Sequence, residues 1–156
     1  MATGRTVSKW VLFKVDDVAG PTLQTIAVNS ISVCGITYEE HDLTAFQDAV
    51  SGALPGMPSA PVEIGGPFDN TVANGSHTVL AAVVGDTTLP LSLAVCFGMR
   101  AAFSSGVDVQ FGITSTAANG YYCFNYNIDP STMMYTARFN LAPGSAVPTF
   151  TTIAIT

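Results

Sequence analysis

Charge is what this sequence has least of. Its 156 residues include only 5 Lys and Arg and 11 Asp and Glu, so charged side chains make up 10% of the chain. A typical soluble domain carries about 25%. A folded chain of this size exposes roughly 7,500 Å², so charges are spaced at roughly one per 470 Å². A free monomer uses surface charge to stay dispersed. So sparse a surface fits a chain covered by further copies of itself; a secreted Ser- and Thr-rich β domain is the alternative. The length corresponds to one domain, large enough to form a core without disulfides or metal.

Positive charge is scarcer still. Arg5, Lys9, Lys14, Arg100 and Arg138 are the only basic residues, scattered along the chain, and the net charge is −6. Phosphate recognition needs clustered Lys and Arg, which argues against nucleic-acid binding. The three cysteines, Cys34, Cys96 and Cys123, are odd in number and widely spaced. That is neither a disulfide framework nor a zinc pattern. Each lies in an apolar or aromatic run, where a free Cys acts as a small hydrophobe, and this favours a reducing compartment. Long hydrophobic runs are missing as well. The longest, 89–99, has about half the length of a membrane span and contains Pro90. The run 10–13 is too short for a signal peptide and is followed by Lys14.

Catalytic motifs are absent in the same way. There is no G-x-S-x-G elbow. No Lys or helix signal follows Gly65-Gly66-Pro67, so it is not a phosphate loop. The one dense polar cluster is Tyr38-Glu39-Glu40-His41-Asp42. Two carboxylates and a histidine could hold a metal or move protons. On a strand, however, Glu39 and Glu40 point to opposite faces. The cluster therefore reads as an acidic turn facing solvent or another subunit. No cofactor and no enzymatic activity are expected.

What the chain does have is strand signal. Runs 7–15, 22–28 and 31–37 combine β-branched and aromatic residues, the last two meeting at Asn29-Ser30. Run 61–64 reads as a short strand. Run 89–97 alternates, with Leu89, Leu91, Leu93, Val95 and Phe97 on one face, as in a half-buried strand. Run 107–113 alternates likewise, with Asp108, Gln110 and Thr114 on its polar side. Run 121–128 follows after Asn119-Gly120, a hairpin turn signal. The span 107–128 is therefore expected to be one long hairpin. Strands at 133–141 and 148–155 complete the series. Two short helices are expected, at 76–84 (Ser76 as cap, Gly85 as terminator, Val79, Leu80 and Val83 on one face) and at 44–52, where Thr44 and Gln47 have capping-box spacing. The Gly- and Pro-rich stretch 52–61 is expected to be a long loop.

The order of these pieces resembles a known family. Residues 32–70 resemble the corresponding part of the tail tube (major tail) proteins of long-tailed bacteriophages. The resemblance rests on Tyr38-Glu39-Glu40-His41-Asp42-Leu43-Thr44-Ala45-Phe46 and on Val62-Glu63-Ile64-Gly65-Gly66-Pro67-Phe68-Asp69. The short helix at 76–84, the long hairpin and the ending Pro148-Thr149-Phe150-Thr151-Thr152 extend it over nearly the whole chain. One departure is the insert 47–60, which carries no charge beyond Asp48, whereas the family has more polar residues there.

The resemblance implies a mainly β, sandwich or barrel-like tail-tube fold with one or two short helices and a long β-hairpin. It implies a structural virion protein, assembled in the host cytoplasm, whose copies form hexameric rings that stack into a tube. Its partners would be itself and other tail proteins, with no membrane contact, and DNA would pass through the lumen without specific binding. A tail terminator, decoration or tail-tip protein, or a ligand-binding β-sandwich, is the alternative. Within this frame Glu39, Glu40, Asp42, Phe46, Leu54 and Met57 are candidate subunit-interface residues. Asp108, Gln110 and Thr114, on the polar side of the expected hairpin, are candidate lumen residues. An acidic lumen would repel DNA and let it slide.

Overall fold

Val95 sits at the centre of a row that organises the fold. The computed structural model describes residues 8–17, 20–99 and 101–156. A single 3₁₀ turn, Ser8–Trp10, leads into β1 (Val11–Asp17), which pairs antiparallel with β2 (Gly20–Ile26). The next strands in the chain are β3 (Ser30–Val33), β4 (Thr37–Asp42), β5 (Ala53–Ser59) and β6 (Val62–Pro67). Then come α1 (Ser76–Val83), β7 (Leu93–Phe97), β8 (Gln110–Ile113), β9 (Tyr121–Asp129), β10 (Met134–Leu141) and β11 (Thr149–Thr151). One sheet has the order β11-β8-β7-β1-β2, a second β3-β6-β10-β9, and β4 and β5 form a ribbon of their own. The chain is thus mainly β with a single helix among the described residues.

Period-two alternation builds the core between the two larger sheets. Register places Ile26, Phe13, Val95, Phe111 and Phe150 side by side across the five-stranded sheet. Phe13, Val95 and Phe111 are fully buried. Facing them from the second sheet are Val62, Ile64, Tyr135, Ala137 and Phe139. The Phe13 and Phe139 rings meet across the layers at 5.6 Å. Burial of these rings supplies much of the folding drive. Helix α1 adds Val79, Leu80 and Val83, the expected face, all buried. Gly85 follows with φ +73°, the left-handed geometry that ends helices. Ser76 does not cap the helix. Its hydroxyl donates to Pro67 O and accepts from Asp69 N, tying the helix start to β6.

Several expectations are corrected. The span 107–128 is not a hairpin, because β8 pairs with β7 and β11, whereas β9 pairs with β10. Asn119-Gly120 instead carries the chain from one sheet to the other. Asn119 Oδ1 accepts from Ala146 N and Gly120 N donates to Ser145 Oγ. The long hairpin of the fold is β9–β10. No helix forms at 44–52. Thr44 Oγ1 accepts from Gly52 N and Thr44 N donates to Asp42, which closes a turn instead. The stretch 52–61 is largely strand β5; Pro55 and Pro58 are tolerated because β5 is paired on one side only. The runs that meet at Asn29-Ser30 go to different sheets, β2 to one and β3 to the other.

Run 89–97 is buried on both faces rather than one, from Pro90 to Cys96. Strand β7 is central in its sheet, and its second face lies under the C-terminal residues. Gln110 Nε2 donates to Ile153 O at 2.6 Å, and Ser92 Oγ donates to Thr156 O at 2.9 Å.

Candidate assembly surfaces

The β4–β5 ribbon gathers all six expected interface residues. Glu39, Glu40 and Asp42 lie on β4, Leu54 and Met57 on β5, and Phe46 at the connecting tip. Every residue of β4 is exposed. Register runs from Thr37 opposite Ser59 to Asp42 opposite Ala53. Neither strand joins another sheet. The ribbon is therefore an arm projecting from the body. At its base Ala60 is fully buried and its carbonyl accepts from Tyr121 Oη at 2.9 Å.

The arm is apolar and acidic together. Phe46, Val50, Leu54 and Met57 are all largely exposed, Phe46 wholly so. The range 37–59 holds Glu39, Glu40, Asp42 and Asp48 and no Lys or Arg. Glu39 and His41, two apart on one strand, stand 3.8 Å apart with both side chains exposed. The His41 ring lies over Gly56, where any Cβ would collide with it. The tip is ordered by local polar bonds. Asp42 Oδ1 accepts from Thr44 N at 2.8 Å, and Asp48 Oδ2 accepts from Ala45 N at 2.8 Å. The side-chain and then the backbone hydrogen bond of Thr44 hold the Asp42 carboxyl below its ordinary 3.8. An isolated two-stranded ribbon is marginal in water, and exposed apolar area of this kind marks contact surface.

The expected lumen residues fare differently. Asp108 and Gln110 are buried and bonded within the chain. Asp108 Oδ2 accepts from Ser104 N, folding the turn before β8. Gln110 bonds the C-terminal segment and lies 3.7 Å from the Cys96 thiol. Thr114 is exposed, but its hydroxyl accepts from Thr156 N. The alternation read at 107–113 is also displaced, since Val107 and Val109 are exposed.

A different face has the character sought there. By register the outer surface of β3-β6-β10-β9 presents Ser30, Thr136, Asn125 and Asn127, with Val33, beside Glu63, Arg138 and Asp129. Glu63 stands opposite Arg138 in register, and their charged groups are 3.6 Å apart. The face is thus largely polar; its described cation, Arg138, is paired with Glu63, and Asp129 at the end of β9 is left over. It ends in two open edges. Among the described residues β3 pairs only with β6; β9 pairs with β10 and is also bridged at its start, Tyr121 to Leu91 and Cys123 to Val84 and Gly85, so its edge is open from Phe124 to Asp129. At a bulge in β9, Phe124 stands exposed beside Asn125. This edge could have been anticipated from Tyr122, Phe124 and Tyr126 alternating with Cys and Asn, but the pairing partner could not.

The cysteines form no disulfide. Burial raises the Cys34 and Cys123 thiols to about 11, and it raises Cys96 despite the charge of Lys14. Among the described residues no group of three or more His, Cys, Asp or Glu is placed to hold a metal.

No family model matches the chain, and no curated protein matches it in sequence. Its fold, however, is similar to solved structures. A chain of the anti-feeding prophage (AFP) baseplate, solved by cryo-EM with 6-fold symmetrisation, superposes with TM-score 0.64 at 11% identity, over 91% of this chain and 94% of that one. A chain of an extracellular contractile injection system, the PVC sheath/tube terminator in its extended state, gives 0.60 at 10% identity, over 97% and 99%. A chain from the tail of an empty GTA particle, refined with C6 symmetry, gives 0.56 at 17% identity, over 94% and 99%. The chain shares its β-rich fold, almost end to end, with components of tail-like assemblies.

Proposed function

We propose that the chain is a structural subunit of a phage-tail-like particle, closing with further copies, six by analogy, into rings that stack as a hollow tube. The observation that carries this reading is the four-stranded sheet, open at β3 and along Phe124 to Asp129 of β9, with a largely polar outer face whose described cation is paired. Joining β9 of one copy to β3 of the next would continue the sheet around a ring and remove both edges, which otherwise invite uncontrolled pairing. The outer face then becomes the channel wall. DNA carries one charge per about 1.7 Å of its axis. Arg138, neutralised by Glu63, offers it no net attraction, and Ser, Thr and Asn offer only neutral polar groups. DNA would pass such a wall without being held, since its described cation is paired and its remaining charge, Asp129, is negative. The arm, with Phe46, Leu54 and Met57, would cross to an adjacent ring or subunit and bury its apolar side there.

Electron microscopy of negatively stained protein at high concentration tests this directly. Rings or tubes are expected. Phe124→Asp, at the open edge, should abolish them while leaving the far-ultraviolet spectrum and the melting temperature unchanged. A chain that stays monomeric at every concentration would refute the reading. The likeness to a sheath/tube terminator, complete over both chains, favours a second reading in which the protein forms one closing ring. Single rings that never elongate would select it.

A further inference from the structure

A cleft of about 420 Å³ opens where β1 ends, with no residue of the arm in its lining. Two consecutive acids, Asp16 and Asp17, line it together with Asp86. On a regular strand consecutive side chains point to opposite faces. Here the β1–β2 register shifts between Asp16 and Asp17, and both residues line the cleft.

Both carboxylates are half-satisfied. Asp16 is only 4% exposed. Its Oδ2 accepts from Ser92 N at 2.8 Å and from Ser115 Oγ at 3.3 Å. Asp17 Oδ2 accepts from Gln24 Nε2 at 3.0 Å. The Oδ1 atoms of both are buried and have no hydrogen-bond partner. Carboxylate oxygens withdrawn from water without a donor are costly. The described cations are engaged elsewhere: Lys9 over Trp10, Lys14 over Phe103 and Arg138 with Glu63.

We propose that this cleft receives the basic side chain, Arg or Lys, of a partner protein. The walls carry the second half of the argument. Leu89, Pro90 and Ala117 line the cleft beside the acids, and Leu89 is exposed. Apolar walls above an acidic floor match a long hydrocarbon stem with a cationic head. The open cleft is larger than a bare metal ion needs, and the described acids form no metal-holding group. A guanidinium or ammonium would donate to the free Oδ1 atoms as charge-assisted hydrogen bonds. The site does not depend on ring formation.

Nuclear magnetic resonance titration of the labelled full chain with N-acetyl-L-arginine amide or N-acetyl-L-lysine amide tests the assignment. Saturable shifts are expected at the amides of Ser92, Ser115 and Ala117. N-acetyl-L-citrulline amide, uncharged but of the same shape, should bind at least about tenfold more weakly. Asp17→Asn, which can keep the Gln24 bond, should weaken arginine binding by a similar factor with the rest of the spectrum unchanged. Asp16→Asn should do the same if it folds; Asp17→Asn decides the matter if it does not. Absence of saturable shifts, equal binding of citrulline, or unaltered binding by Asp17→Asn overturns the proposal. Calcium or magnesium chloride producing the same shifts at lower concentration overturns it in favour of a metal site.

Discussion

Four aspartates repeat one local device. Asp42, Asp69, Asp86 and Asp129 each accept from the backbone N–H of the residue two positions on, a Thr or Ser. These turns bound the arm tip, the loop before α1, the loop after it and the β9–β10 turn. Each carboxyl is held below its ordinary value, chiefly by the hydrogen bonds of that Thr or Ser. The folded-state values lie below the unfolded one. The stabilisation is therefore fully present above the ordinary 3.8 and is lost as pH falls through the folded values. The melting temperature should hold from neutrality down to that range and then decline. Replacing all four by Asn keeps the acceptor and removes the titration, so the acid decline should flatten; an unchanged decline in calorimetry would assign it to other carboxylates. In the core, Phe139→Ala removes the ring that meets Phe13 across the two layers. It should cost about 3–5 kcal/mol in denaturant unfolding. Gly112→Ala should also destabilise, because a Cβ there would run into the Leu93 backbone across the β7–β8 pair.

At the scale of elements, the arm can be separated from the body. Thr37 and Ser59 are register partners, so an Asn-Gly turn placed between them in exchange for 38–58 closes a tight hairpin. The shortened chain should keep a melting temperature close to that of the parent. It should form no stacked tubes in negative stain, and a chain that fails to fold would show that the arm supports the core. Elements also decide what the sequence could disclose. Helix α1 was legible because Val79, Leu80 and Val83 share a face and Gly85 ends it. Val95 and Phe111 were placed on the apolar faces of their runs and are buried, although neither run has the one-sided alternation expected of it. The arm was not, because Pro55, Gly56 and Pro58 are loop-formers wherever a strand must pair on both sides, and β5 pairs on one. The six arm residues were singled out from chemistry and family likeness while their scaffold was misread. Asp108 and Gln110 were misplaced for a related reason. Asn119-Gly120 signals a change of direction but does not say which strand the chain joins next, and what buries Gln110 is a carbonyl 43 residues away. Contacts of that span leave no local periodicity to read.

At the scale of the whole molecule, surface and charge pull in opposite directions. The chain exposes 9160 Å², against roughly 7,500 Å² expected for its size. That surplus, with its apolar tip and open sheet edges, is area available for association. Yet every copy carries −6, so like copies repel as they approach. The balance between contact and repulsion is set by screening. Raising salt from about 0.01 M to about 0.15 M shortens the screening length from about 30 to about 8 Å. Repulsion between whole subunits fades over that range, whereas the apolar contacts of Phe46, Leu54 and Met57 do not. Assembly of the purified chain, followed by light scattering and sedimentation, should therefore become more favourable with salt. Neutral Gln at Glu39 and Glu40 should move the onset to lower salt if the arm approaches another acidic surface. An onset that moves to higher salt would mean instead that these two carboxylates meet cations of a neighbour. The same salt series read on the arm-shortened chain assigns the effect: a salt response that persists without the arm belongs to the sheet edges and the body, and one that vanishes belongs to the arm.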